Sequence, residues 1–148
     1  MGILAFIREY VDKMKNVQEL LVDFLINEDD DEINFTNLIG YLDSQKFRQN
    51  KHDLKDFLRS ISKISKNFHH SKNFYSKIEK ILKYVKDDFK KFYSNIEIFN
   101  IFKSNKRNLL FLFEEKILIP DEIIYKIITS KKYKSKNYPE FFSPEFKA

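Results

Sequence analysis

The chain has 148 residues, 43% of them hydrophobic, which is enough for one domain with a buried core, and it has no cysteine, so disulfides, thiolate metal sites and a cysteine nucleophile are excluded. Only Gly2 and Gly40 lack a Cβ, which excludes a glycine-rich phosphate loop or a Rossmann turn, both of which need several glycines for close backbone approach. The net charge of +5 is uneven: the first 45 residues carry 3 basic and 10 acidic side chains, and the remaining 103 residues are net +12.

Ile3, Ile7, Tyr10, Met14, Val17, Leu21 and Phe24 recur at alternating spacings of four and three, the stripe of an amphipathic helix. Leu4, Phe6, Val11, Leu20 and Leu25 widen that stripe, so the spacing predicts a first helix packed into a globular core rather than a coiled-coil seam. Arg8 and Glu9 cut the opening apolar run too early for a signal sequence or a membrane span, and Phe6 stands where a myristoylation motif wants Ser or Thr. A cytoplasmic protein with no membrane partner is expected.

Residues 28–32 form an unbroken acidic run that reads as a loop. Counted from Asp29 as a calcium-binding loop, the sixth place holds Asn34 instead of Gly and the twelfth holds Gly40 instead of Glu, so no metal is expected there. A second helix is expected after Asn34, with Leu38, Ile39 and Leu42 on one face, then a turn over residues 47–50. Asn50 is placed to cap a third helix carrying Leu54, Phe57, Leu58, Ile61 and Ile64. A break over residues 67–71 precedes a fourth helix that starts near Asn73. Its inward positions are Phe74, Ile78, Ile81, Leu82, Val85, Phe89 and Phe92, with its lysines outward.

Ser94 and Glu97 have the spacing of a capping box, so a fifth helix begins there and runs through Phe102. Ser104 and Asn105 interrupt it before a sixth helix over residues 108–115. Pro120 and Asp121 open a seventh, with Ile123, Ile124, Ile127 and Ile128. Pro139 and Pro144 forbid a helix through the last residues. No segment alternates with period two. The expected fold is all-α, with six or seven helices stacked as hairpins.

Residues 98–107 (IFNIFKSNKR) and 109–115 (LLFLFEE) resemble the N-terminal helical region, of unknown function, in ankyrin-repeat proteins of trichomonad protists. Residues 10–16, 50–65 and 77–91 resemble the same region. The resemblance implies a degenerate ankyrin-like helix-turn-helix near the C-terminus, with Ile101 and Phe102 in its first helix and Asn105 in left-handed backbone at the turn. It also implies a protein-binding segment that caps an array of downstream ankyrin repeats. The expected organisation is a helical region over 1–93, ankyrin-like hairpins over 94–132 and an irregular aromatic tail over 133–148, as one continuous fold.

Chemistry beyond binding is sparse. His52, His69 and His70 lack a carboxylate at a spacing that completes a metal site, and no Ser, His and Asp arrangement is present. The carboxylate pairs 87–88, 114–115 and 121–122 lie on lysine-rich helices, where surface ion pairs account for them. No enzyme activity, catalytic residue or cofactor is therefore expected. Tyr133, Tyr138, Phe141, Phe142 and Phe146 crowd the tail, where rings exposed to water are unfavourable. Tyr138, Phe141, Phe142 and Phe146 are the candidate protein-binding residues. The alternative function is a basic helical protein that binds nucleic acid, set against the fact that 23 of the 27 cations are Lys and only four are Arg.

Overall fold

A computed structural model of the chain describes residues 2–27, 32–67, 72–119 and 121. Among these the protein is all-helical, with six α-helices and no strand. They are α1 (Ile3–Ile26), α2 (Glu32–Ser44), a 3₁₀ turn (Phe47–Gln49), α3 (Lys51–Asn67), α4 (Lys72–Phe92), α5 (Asn95–Phe102) and α6 (Lys106–Glu114). The expected seventh helix, the acidic residues 28–31, His69 and His70 and the aromatic tail lie outside the described residues. The chain divides into two compact units, Met1–Phe92 and Tyr93–Ala148.

Side-chain links set the directions of the helices in the first unit. Lys13 pairs with Asp53, and Gln18 donates to Ser60 at 3.2 Å, so α1 and α3 run the same way. Asn34 donates to the Asp23 carbonyl at 3.5 Å and Tyr41 to the Lys13 carbonyl at 3.3 Å, so α2 runs back along α1. Lys80 reaches Glu32 at 2.9 Å and Tyr84 donates to Asp43 at 3.0 Å, which aligns α4 with α2. The four helices thus alternate in direction. Phe24, Phe47, Phe57 and Phe89 are fully buried with Leu21, Leu38, Leu42 and Leu54. The phenylalanine excess supplies bulk where each buried ring removes a large apolar area from water.

Local signals place the helix starts. Asn50 Oδ1 accepts from the N–H groups of His52 at 3.0 Å and Asp53 at 3.1 Å, capping α3 as its sequence predicts. Ser94 and Glu97 form the expected capping box at the start of α5. Glu32, expected in the acidic loop, is already helical in α2, ahead of the expected Asn34, and reaches Lys80 at 2.9 Å.

Helix ends depart from expectation. Asn105 has φ −127° and ψ 98°, not left-handed backbone; its side chain accepts from the Asn108 N–H at 3.0 Å and so caps α6, which therefore starts at Lys106. Capping needs an extended backbone, and that requirement prevails over the glycine-like turn. Among the described residues the left-handed positions are instead two lysines, Lys46 with φ 59° after α2 and Lys116 with φ 58° after α6. At Lys116 the motif is complete: its N–H bonds the Phe113 carbonyl at 3.1 Å and the Ile117 N–H bonds the Leu112 carbonyl at 2.9 Å. Leu112 and Ile117 are both buried, the apolar contact that accompanies this helix ending.

The stripe on α1 divides in two. Met14, Val17, Leu21, Phe24 and Leu25 are buried, as packing into a core predicts. Ile3, Leu4, Phe6, Ile7 and Val11 are not: they remain 79, 78, 71, 50 and 54% exposed. The helix outruns its neighbours. The α3 partners of Tyr10 and Lys13 are His52 and Asp53, in the first turn of α3, so nothing from α3 extends alongside residues 3–9.

Candidate functional site

Three groups of residues in the first unit have the exposure or the charge to act on something else. The first is the apolar start of α1. Residues 3–26 contain neither Gly nor Pro, so the helix continues without a break past the end of the four-helix packing. At 1.5 Å per residue, residues 3–9 project roughly 10 Å. Gly2 offers no side-chain cap, and the first turn carries no acidic residue to complement the positive end of the helix dipole. At the base of the projection the Tyr10 ring stacks on His52 with centroids 5.8 Å apart. The Tyr10 hydroxyl is buried and, among the described residues, is the one buried side-chain oxygen without a hydrogen-bond partner.

The second group is a polar niche where α2, the 3₁₀ turn and α4 meet. Arg48 pairs with Asp88 and lies 4.6 Å over the Tyr84 ring, while Tyr84 donates to Asp43 at 3.0 Å. Leu42, Asp43, Lys46, Arg48, Gln49 and Asp88 line a depression of about 350 Å³ there. The Asp88 hydrogen bond holds the Arg48 guanidinium charged above its ordinary range, against the opposing effect of burial. Burial, and then the hydrogen bond to Asp43, raises the Tyr84 phenol above its ordinary value of 10.0, with Arg48 opposing. Arg48, Asp88, Tyr84 and Asp43 are each engaged with one another, so the niche clamps the 3₁₀ turn to α4.

The third group is a row of cations on α3. Lys51, Lys55, Arg59, Lys63 and Lys66 follow one another at spacings of four, four, four and three, which places them along one face, and all but half-buried Lys55 are exposed. Asp56 tempers the row through Arg59 at 3.8 Å and His52 at 3.6 Å.

Tyr138, Phe141, Phe142 and Phe146 lie outside the described residues. The spacing places the start of α1 in the core, whereas Ile3, Leu4, Phe6, Ile7 and Val11 are exposed, because spacing alone does not show where the neighbouring helices end. Lys77 was likewise placed outward on α4, yet it is buried; its ammonium donates to the carbonyls of Phe24, at 2.9 Å, and Asn27. It supplies the cation that the last turn of α1 lacks. A signal for it existed: Lys77 falls three residues after Phe74 and four before Ile81, on the rim of the buried face.

Among the described residues no group of three or more His, Asp and Glu side chains is placed to hold a metal ion. None of their helices is long and apolar enough to cross a membrane. No protein-family model, curated protein or solved structure matches the chain.

Proposed function

We propose that the chain is a non-catalytic protein–protein interaction module that works in the cytoplasm and forms the N-terminal capping segment of an ankyrin-repeat-type protein. The observation that carries the reading is the apolar start of α1. Five large side chains, exposed together at one helix end, make the kind of contiguous apolar patch that marks a binding surface in a water-facing protein. Lys13, paired with Asp53 and lying 4.7 Å over the Phe47 ring, and the Tyr41 hydroxyl on the Lys13 carbonyl tie the base of the projection to its neighbours, so the patch is presented on a fixed support.

The ankyrin connection rests on the resemblance over residues 98–107 and 109–115. Two short helices, Asn95–Phe102 and Lys106–Glu114, joined by a tight turn, have the helix-turn-helix order of one degenerate repeat. A capture experiment compares the whole chain with an Ile3→Asp, Ile7→Asp variant of unchanged helicity. Partners held by the unaltered chain and lost by the variant support the reading. Identical partners for both, or none for either, overturn it.

The cation row on α3 favours a second reading, binding of nucleic acid. That reading requires affinity for a labelled oligonucleotide that falls steeply with salt and weakens when Lys55, Lys63 and Lys66 become Gln. Absence of binding at low salt dismisses it.

A further inference from the structure

We infer that the apolar start of α1 is a self-recognition surface, and that its occupant is the same segment of a second copy of this chain, laid antiparallel across a two-fold axis at Ile7. The inference rests on the interaction-module reading and names its partner.

The pattern of residues is self-complementary. Reversing the segment about Ile7 carries Ile3 onto Val11 and Leu4 onto Tyr10, while Ile7 maps onto itself. At 100° per residue these five positions fall within about a third of the helix circumference, so one face carries all of them. A two-fold interface needs this property, because each residue i that meets j requires j to meet i. Among the described residues of the first unit the other exposed large apolar side chains are Ile26 and Ile33.

The ends of the segment fit the same arrangement. In this register Leu4 of the other copy comes level with Tyr10, which brings the uncapped first turn of that helix beside the Tyr10 hydroxyl that lacks a partner within one chain. The second helix would also continue the buried stripe of Met14, Val17 and Leu21 beyond the end of the packed unit, since Ile3, Ile7 and Tyr10 lie on the same stripe.

The area suits a weak, reversible dimer. Covering Ile3, Leu4, Ile7, Val11 and the open side of Tyr10 on both copies removes at most on the order of 1,000 Å² from water, the lower limit for a specific interface. Without charged anchors, a contact at that lower limit is expected to be weak, with a Kd on the order of 10–100 µM.

The absence of cysteine makes the test direct. Ile7→Cys in the full chain puts two thiols at the two-fold axis, and mild oxidation should give a covalent dimer at concentrations where Ile26→Cys and Ile33→Cys stay monomeric. A mixture of Ile3→Cys and Val11→Cys chains should cross-link to each other in preference to themselves. Sedimentation of the unaltered chain should show a monomer–dimer equilibrium that Ile7→Asp weakens about a hundredfold or more, with helicity unchanged. A chain that stays monomeric to about 500 µM overturns the inference. So does a pattern in which Ile3→Cys links chiefly to Ile3→Cys, which would mean parallel pairing. If the chain is monomeric yet Ile7→Asp abolishes capture of a different protein, self-recognition fails while the interaction-module reading survives.

Discussion

The two ends of α1 belong to one helix and one apolar stripe, yet they are treated in opposite ways. From Met14 onward the stripe is buried, and the final carbonyls receive the Lys77 ammonium. At Ile3 and Ile7 the same spacing faces water, and the first turn has neither a capping side chain nor an acidic residue. Apolar periodicity therefore states what a helix face can bury, and only the lengths of its neighbours decide how much of it they cover.

The comparison is broken most severely by cutting the same stripe at either end. Phe24→Ala should cost about 3–5 kcal/mol, because a fully buried ring leaves a cavity, whereas Ile7→Ala in the monomer should cost under about 0.5 kcal/mol. Denaturant unfolding of the two variants, at a concentration well below any self-association, measures both. Equal losses would mean that the start of α1 is covered after all.

Next in size is Lys77→Met, which keeps the packing of the side chain and removes the cation from the carbonyls of Phe24 and Asn27. A loss of about 2–3 kcal/mol is expected, with the last turn of α1 exchanging its amide hydrogens faster. If exchange quickens at the first turn instead, the two ends are not independent.

A pH titration acts on the clamp near the base of the projection. The folded state holds the Tyr84 proton more tightly than the unfolded chain does. The resulting stability is complete below the ordinary phenol value of 10.0 and declines as pH rises through the higher folded value. Thermal unfolding between pH 8 and 11 should show this alkaline decline, and Tyr84→Phe should flatten it. The smallest effect is expected from Gly2→Asp, which gives the open end a cap and should raise the melting midpoint slightly, for about 0.3 kcal/mol.

What could be read in the sequence was what a few adjacent residues decide among themselves. Asn50 reaches its own backbone within three residues, and Ser94 and Glu97 reach each other, so both helix starts were legible. The helices themselves were legible from spacing. The buried place of Lys77 was not, because it depends on a carbonyl end 50 residues earlier in the chain meeting the first turns of α4. Neither was the uncovered start of α1, since it depends on where α3 begins. Asn105 was misjudged between two roles open to asparagine, a left-handed turn and a helix cap; the four amides at the start of α6 needed an acceptor, and that settled it.

Lys46 and Lys116 end their helices in a backbone conformation that costs a side chain with a Cβ about 1–2 kcal/mol each. Native domains are stable by only about 5–15 kcal/mol, so two such sites narrow the chain's mutational robustness appreciably. A core substitution that a relative with glycine at both places would tolerate should unfold this chain. Its tolerance to random mutation should widen once glycine is introduced at either helix end.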